Sequence, residues 1–469
     1  MSAVGRTRAS SASRVERNAP GTTAPQLSKT QVVLVYLLPS FAALGGQLQG
    51  FGQIFAFRIA VLVYLVVTII NLGKRAAHSM NLPRYILVMS WIWAMAILFL
   101  AVVRGLPSSG WTETASVAFG LILLNCVFLG PLSMHTLKIW LRAWSLAVLL
   151  QVMIGFWEVI TGAHMANYYL YNLNVPEWAV ADSIAGSLGN PNAYAFFLVA
   201  SMPLLGVSWY LAKGSNTRWI YAVLMLAAIV MLNETGSRLS WIVFGLVVAM
   251  WLFTRNAGFR AIAVFAVLVA IAIVIAEPMR VSALLGLDAS NAAGIISGDA
   301  SIQVRWNLLL NGLAFTAETS LLGLGPGGFA TRMSGAVPYD AGGIVSTHSG
   351  AVEILAQYGL VVFLAVVVLL VWLVVAGVKG MRRSRRGSKL RELSIALVIS
   401  TVALTPLSFT NSSTLNLSFV WTYLVVLCLM GAVVYQQIKG GSDEMGDDSS
   451  LSGSSESEGS ASAQRGDHL

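Results

Sequence analysis

Charge and cysteine are both scarce in this chain, and each shortage excludes something. Only 10% of the 469 residues are Asp, Glu, Lys or Arg, against 57% hydrophobic. The two cysteines, Cys126 and Cys428, both sit inside apolar runs. They read as small buried apolar residues, which excludes a disulfide framework and a metal knuckle. The first thirty residues lack an apolar stretch beside a small-residue cleavage site and are rich in Ser, Thr, Arg and Ala. Residues 1–30 are therefore expected to be a disordered basic cytoplasmic tail and not a signal peptide. Residues 438–469 have almost no apolar content and much Ser, Gly, Asp and Glu, and are expected to be a disordered acidic tail on the same side.

Between the tails, residues 31–437 hold apolar runs of about 16 to 25 residues. Each is long enough to cross a hydrocarbon core of roughly 30 Å as a helix. Twelve spans are expected, near 31–49, 52–71, 85–103, 113–131, 136–160, 193–212, 218–233, 239–254, 260–277, 351–378, 393–410 and 416–437. The fold class is therefore an all-α polytopic membrane protein with a large external loop, 278–350, before span ten. Lys74, Arg75, Arg84, Lys138, Arg142, Lys213, Arg218, Arg255, Arg260 and the run Lys379 to Arg391 all fall on the side of the basic N-terminal tail. Positive charge collects on the cytoplasmic side, so both termini are placed there. The net charge of +9 is thus an orientation signal, and no nucleic-acid partner is needed to explain it.

The opposite side has no lysine at all, yet Arg104, Arg238, Arg280, Arg305 and Arg332 fall there, and Arg58 falls inside span two. Arginines kept where positive charge is normally shed suggest bidentate recognition of an anion. No acidic cluster suited to a divalent metal is evident in the external loops, where Asp288, Asp299 and Asp340 are scattered. Neither a metal nor another cofactor is expected. Two loops are longer than a connection requires. The first, 161–192, carries His164, Tyr168, Tyr169, Tyr171 and Trp178.

In the second, Ile302, Trp306, Leu309, Leu310 and Leu313 recur at helical spacing, with Asp299 or Ser301 as N-cap. This predicts a short amphipathic helix on the membrane surface, with Arg305 at the edge of its apolar stripe, as an anion ligand or as a snorkelling anchor. Gly323, Gly325, Gly327 and Gly328 follow, either as an anion-cradling backbone or as a plain turn. His348 stands where span ten begins, and the positive end of that helix favours a neutral imidazole suited to act as a base. Glu353, sharing a helix face with Gln357, is expected to make an intramembrane polar contact. Arg238 opens span eight after a tight hairpin, where Glu234 is its alternative partner. Asn190 and Pro191 read as N-cap and first residue of span six.

Taken in order, Thr235-Gly236-Ser237-Arg238, Arg305-Trp306, Gly323-Leu324-Gly325-Pro326-Gly327, His348 and Glu353, then Gln357-Tyr358-Gly359-Leu360, resemble the O-antigen ligase and polymerase superfamily. The Gly-Asn-Pro-Asn stretch before span six is similar to it too, and the resemblance covers about 185–375. It implies a metal-independent, inverting membrane glycosyltransferase whose donor is a polyprenyl-pyrophosphate-linked glycan and whose acceptor is a glycan, lipid or protein in contact with membrane lipid. By position Arg238 and Arg305 would bind the pyrophosphate and His348 would activate the acceptor hydroxyl, with Arg332, Arg280, Glu353 and Asn192 as candidate further members. Ligase action is the expectation. A polymerase joining lipid-linked repeats is the alternative within the family, and a transporter or flippase is the alternative outside it. The sequence assigns no role to Arg58 or Arg104.

Overall fold

Apolar runs become helices here because a chain in lipid must satisfy its own backbone groups. A computed structural model describes residues 26–48, 55–72, 81–165, 183–255, 258 and 299–440, and among these it contains helices and no strand. The helices are α1 Lys29–Leu44, α2 Ala56–Leu72, α3 Asn81–Arg104, α4 Ser108–Phe128, α5 Met134–Thr161, α6 Pro191–Leu211, α7 Ser215–Glu234 and α8 Arg238–Phe253. They continue as α9 Asp299–Glu318, α10 Gly328–Met333, α11 Gly350–Arg383, α12 Lys389–Ser408 and α13 Ser418–Lys439.

Eleven of these coincide with expected spans, and the ninth expected span, 260–277, lies outside the described residues. Eight helices are long and apolar enough to cross a membrane, while α1, α2 and α8 are apolar but shorter. The chain is a multi-pass membrane protein. Both tails, apart from a few flanking residues, lie outside the described residues, as do Tyr168, Tyr169, Tyr171, Trp178, Arg280 and Asp288.

Helix starts follow side-chain chemistry. Ser28 and Gln31 form a capping box on α1, and Ser133, Ser349 and Ser388 each accept a backbone N–H at the first turn of α5, α11 and α12. Asn190 Oδ1 accepts from the N–H groups of Asn192 (2.9 Å) and Ala193 (3.3 Å), with Pro191 as first helical residue of α6, as expected.

The core forms around α6 and α13, whose most apolar stretches are 78% buried, whereas those of α3 and α11 are 28% and that of α7 is 22% buried. Exposed Trp219, Ile220, Val223 and Leu226 on α7 therefore face outward, where lipid is the natural solvent. Inside, Trp144 stacks on Phe197 (centroids 5.4 Å) and its indole N–H donates to Ser201 Oγ at 2.9 Å. Helices α11 and α12 pack through small residues, since a Cβ on Gly380 would lie 2.2 Å from Ser394 Oγ.

One transmembrane helix is broken. Within α11, Gly359 has φ 80° and ψ 178°. The segment after α9 fills the gap with three backbone hydrogen bonds: Leu324 N–H to Ala356 O (2.8 Å), Gly325 N–H to Gln357 O (2.8 Å) and Leu360 N–H to Leu321 O (2.9 Å). A Cβ on Gly359 would sit 2.4 Å from Leu322 O, so both the left-handed torsion and the close approach require glycine.

Candidate active site at one end of the bundle

The break in α11 anchors the long loop over the end of the bundle where α11 begins. Helix α9 lies against α11 through Leu308, Phe315, Val352 and Ala356, all buried together with Phe329. This buried face differs from the stripe expected from the sequence. Of that stripe, Trp306 is 55% and Leu313 47% exposed and both point away from the bundle, Leu309 packs against the buried face, and the side chain of Ile302 lies outside the described residues. The helix is twenty residues long and begins at Asp299, so Ser301 lies within it and is not its cap. Arg305 is half-buried between the two faces, and burial lowers its pKa.

The glycine-rich turn is not an anion cradle, because its N–H groups already have partners in the chain. Gly323 donates to Thr319 Oγ1 (3.1 Å), Leu324 and Gly325 donate to α11, Gly327 donates to Glu113 Oε2 (3.3 Å) and Gly328 to Gly325 O (3.0 Å). The plain-turn alternative is the one the chain adopts, and its purpose is to dock the loop on α4 and α11.

His348 has an unusual backbone. Its φ is 46°, a left-handed torsion rare outside glycine, and its N–H donates to Ser412 O at 3.3 Å. Its Nδ1 is buried and lacks a hydrogen-bond partner among the described residues. Burial first, and the nearby positive charge of Arg305 second, lower its pKa to about 4, so the imidazole is neutral at physiological pH. Strain and an unsatisfied buried nitrogen at one residue are the kind of cost that accumulates at functional sites.

Three buried carboxylates, each near the end of a different membrane helix, hold the loops around this point. Glu353 on α11 accepts from the N–H groups of Thr414 (2.7 Å) and Leu415 (3.2 Å) and from Ser413 Oγ. Glu158 on α5 accepts from Ala185 N–H (3.0 Å) and Gly186 N–H (2.6 Å) and contacts His164 Nδ1 at 3.1 Å. Glu113 on α4 accepts from Gly327 N–H, Gln357 Nε2 (2.9 Å) and the Tyr358 hydroxyl. The polar contact expected of Glu353 is thus a loop anchor, distinct from Gln357, which bonds Glu113 instead. Glu113 and Glu158 were not singled out in the sequence, although each is an acid inside an otherwise apolar run.

Two of these anchored loops wall a cavity of about 400 Å³. Asn190 lines it from the stretch leading into α6, Asn411, Ser412, Ser413 and Asn416 from the loop before α13, and Arg58 from α2. The cavity adjoins the catalytic candidates on two sides. Ser412 holds the His348 backbone, and Asn192, two residues past Asn190, accepts from Ser237 Oγ at 2.9 Å just before Arg238.

Arg238 is exposed at the start of α8 and forms no ion pair with Glu234, whose Oε1 accepts from Asn233 at 3.2 Å. Arg332, by contrast, is engaged: it meets Glu318 at 3.4 Å and lies 4.8 Å over the Phe315 ring. Among the described residues no three His, Cys, Asp or Glu side chains come together as a metal set. The positive charge at this end is carried by guanidinium groups.

Comparison with known proteins bears on this stretch directly. Residues 220–367 match the family described as O-antigen ligase. The chain is also similar to the Teichuronic acid biosynthesis protein TuaE of Bacillus subtilis (strain 168), 26% identical over an alignment of 352 positions that covers 69% of this chain and 68% of that protein. The matched stretch runs from α7 past the break in α11 and contains Arg238, Arg305, the glycine turn, His348 and Glu353. The similarity to the O-antigen ligase family is thus carried by residues 220–367, the stretch that holds these candidate site residues.

Proposed function

We propose that the protein moves a glycan from a polyprenyl-pyrophosphate carrier to an acceptor hydroxyl at the outer face of the cytoplasmic membrane, acting as a ligase. The observation that carries this reading is the buried, neutral imidazole of His348 beside the positive charge of Arg305 at the mouth of a membrane helix. The one-sided lysine distribution supports putting that end outside and both termini inside.

In this mechanism Arg238 and Arg305 hold the donor diphosphate, and its negative charge beside His348 raises the imidazole pKa from about 4. The base thereby becomes effective when the donor is in place. His348 takes the proton of the acceptor hydroxyl as that oxygen bonds to the anomeric carbon. The bond from this carbon to the phosphate oxygen breaks, and its electron pair departs on the diphosphate. The proton on His348 is then released to water. A single displacement inverts the anomeric carbon, and two guanidinium forks supply the charge that a divalent cation supplies in other transferases.

The name of the relative, which speaks of teichuronic acid biosynthesis, supports a role in polysaccharide biosynthesis, which the ligase and polymerase readings share. The test is the lipid-linked material that accumulates in cells lacking the protein. Full-length lipid-linked polymer is expected for a ligase, and single lipid-linked repeats would make it a polymerase. Unchanged lipid-linked material would contradict glycan transfer and favour a transporter.

A further inference from the structure

The cavity beside His348 is walled by groups that the transfer chemistry leaves unused. Arg58 lines it from the first turn of the apolar helix α2, where its guanidinium is buried. Its Nη2 donates to Ser116 Oγ (3.0 Å) and Thr112 O (3.4 Å), and its guanidinium lies 4.8 Å from the Phe55 ring and 5.6 Å from that of Phe119. These contacts fix the plane of the fork. Among the described residues lining the cavity none is Asp or Glu, and Arg58 is the one cation.

The rest of the wall suits hydroxyl-rich ligands. Asn190 uses its Oδ1 to cap α6, and its amide NH₂ has no partner among the described residues. The hydroxyl of Ser412 is likewise unpartnered there, while Asn411 and Asn416 donate to Ser413 and keep their carbonyl oxygens as acceptors. Phe55 and Phe57 add apolar faces. Amide and hydroxyl groups of both polarities, aromatic rings and one fixed cation describe a site for a sugar bearing an anionic group. The volume of about 400 Å³ falls within the roughly 300–1,000 Å³ of small-molecule sites. Arg238, Arg305 and His348 do not line the cavity, so the groups assigned to the donor diphosphate lie beside it and not in it.

We propose that this cavity is the acceptor-sugar subsite and that Arg58 selects an acceptor carrying a carboxylate-bearing sugar. The assignment to an acceptor rests on the transfer reading above, but the sugar site is tested without donor or transfer. Binding of methyl β-glucuronide and methyl β-glucoside to the purified full-length protein would be followed by saturation-transfer NMR. Wild type should bind the glucuronide more tightly than the glucoside. Arg58→Gln should weaken the glucuronide about tenfold or more, the loss of one charge-assisted contact, and leave the glucoside within about twofold. Ser412→Asp, which keeps Arg58 and places a negative charge on the wall, should also repel the glucuronide, so the proposal stays testable if Arg58→Gln fails to fold. Equal affinity for both sugars in wild type, or a glucuronide affinity untouched by both variants, would overturn it. Inorganic pyrophosphate displacing the glucuronide in an Arg58-dependent manner would also overturn it, making the cavity a donor-phosphate site. These results are independent of which lipid-linked glycan accumulates in cells, so failure here and failure of the transfer reading are distinguishable.

Discussion

The two ends of the helix bundle hold their buried acids by different means. At the end away from His348, Arg255 and Glu392 pair directly at 2.7 Å, with the guanidinium 4.2 Å over the Trp251 ring. At the His348 end, Glu113, Glu158 and Glu353 accept from five backbone N–H groups of neighbouring loops, and none of them pairs with an arginine among the described residues. Arg238 and Arg305 make no ion pair among the described residues either, whereas Arg332 pairs with Glu318 at 3.4 Å. Acid and base are both present at that end, but the buried acids shape loops, and Arg238 and Arg305 are left without an acidic partner among the described residues. An end that binds an anion must keep some of its positive charge without an acidic partner.

The sharpest way to break this comparison is to remove the group for which the charge is arranged. His348→Ala leaves the arginine forks in place, so transfer should fall roughly 10² to 10⁴-fold, the usual contribution of a general base. Lipid-linked donor should still bind, and loss of binding together with transfer would make His348 a binding residue instead.

A smaller effect should separate the two ends directly. Arg305→Lys and Arg238→Lys keep the charge but lose the fork, and each should lower transfer on the order of ten- to a hundredfold, the value of a charge-assisted contact. Arg255→Lys at the far end should leave transfer within about twofold while costing at most about 1 kcal/mol of stability. Equal losses at both ends would remove the distinction. Adding a chelator should change none of these rates.

The smallest effect on chemistry and a clear effect on stability are expected of the carboxylates. Glu353→Ala strips the acceptor from the buried N–H groups of Thr414 and Leu415. Each unsatisfied group costs about 1–3 kcal/mol. The thermal midpoint of the purified protein should drop while Arg255→Lys leaves it nearly unchanged, and a midpoint unaffected by Glu353→Ala would show that this loop is held by something else.

Much of the bundle was legible because an apolar run in lipid has few alternatives to a helix. The expected span 351–378 became α11, Gly350–Arg383, extended at its far end because helical backbone continues past the point where hydropathy falls and ends only at Ser384. The glycine turn was not legible. Whether its N–H groups face an anion or another part of the chain depends on Ala356 to Leu360, more than thirty residues later, and on the break at Gly359 that frees their carbonyls. The stripe on α9 was read correctly as apolar, but the face that packs, through Leu308 and Phe315, became evident only once α11 was beside it. Glu113 and Glu158 could have been flagged as acids within apolar runs, yet nothing in their spacing names the loops they hold. Arg58 stood out in the sequence for the same reason, and its Phe and Ser partners appear only through the packing of α2 on α4.

The proposed mechanism holds that Arg238 and Arg305 bind a diphosphate, whose charge switches on His348 beside Arg305. An NMR titration of the His348 imidazole, assigned with His348→Gln, measures this directly in the full-length protein with and without inorganic pyrophosphate. The imidazole should titrate near 4 in the protein alone and move upward when pyrophosphate binds, and the upward shift should be smaller in Arg305→Lys. An imidazole whose titration is the same with and without bound pyrophosphate would contradict the account.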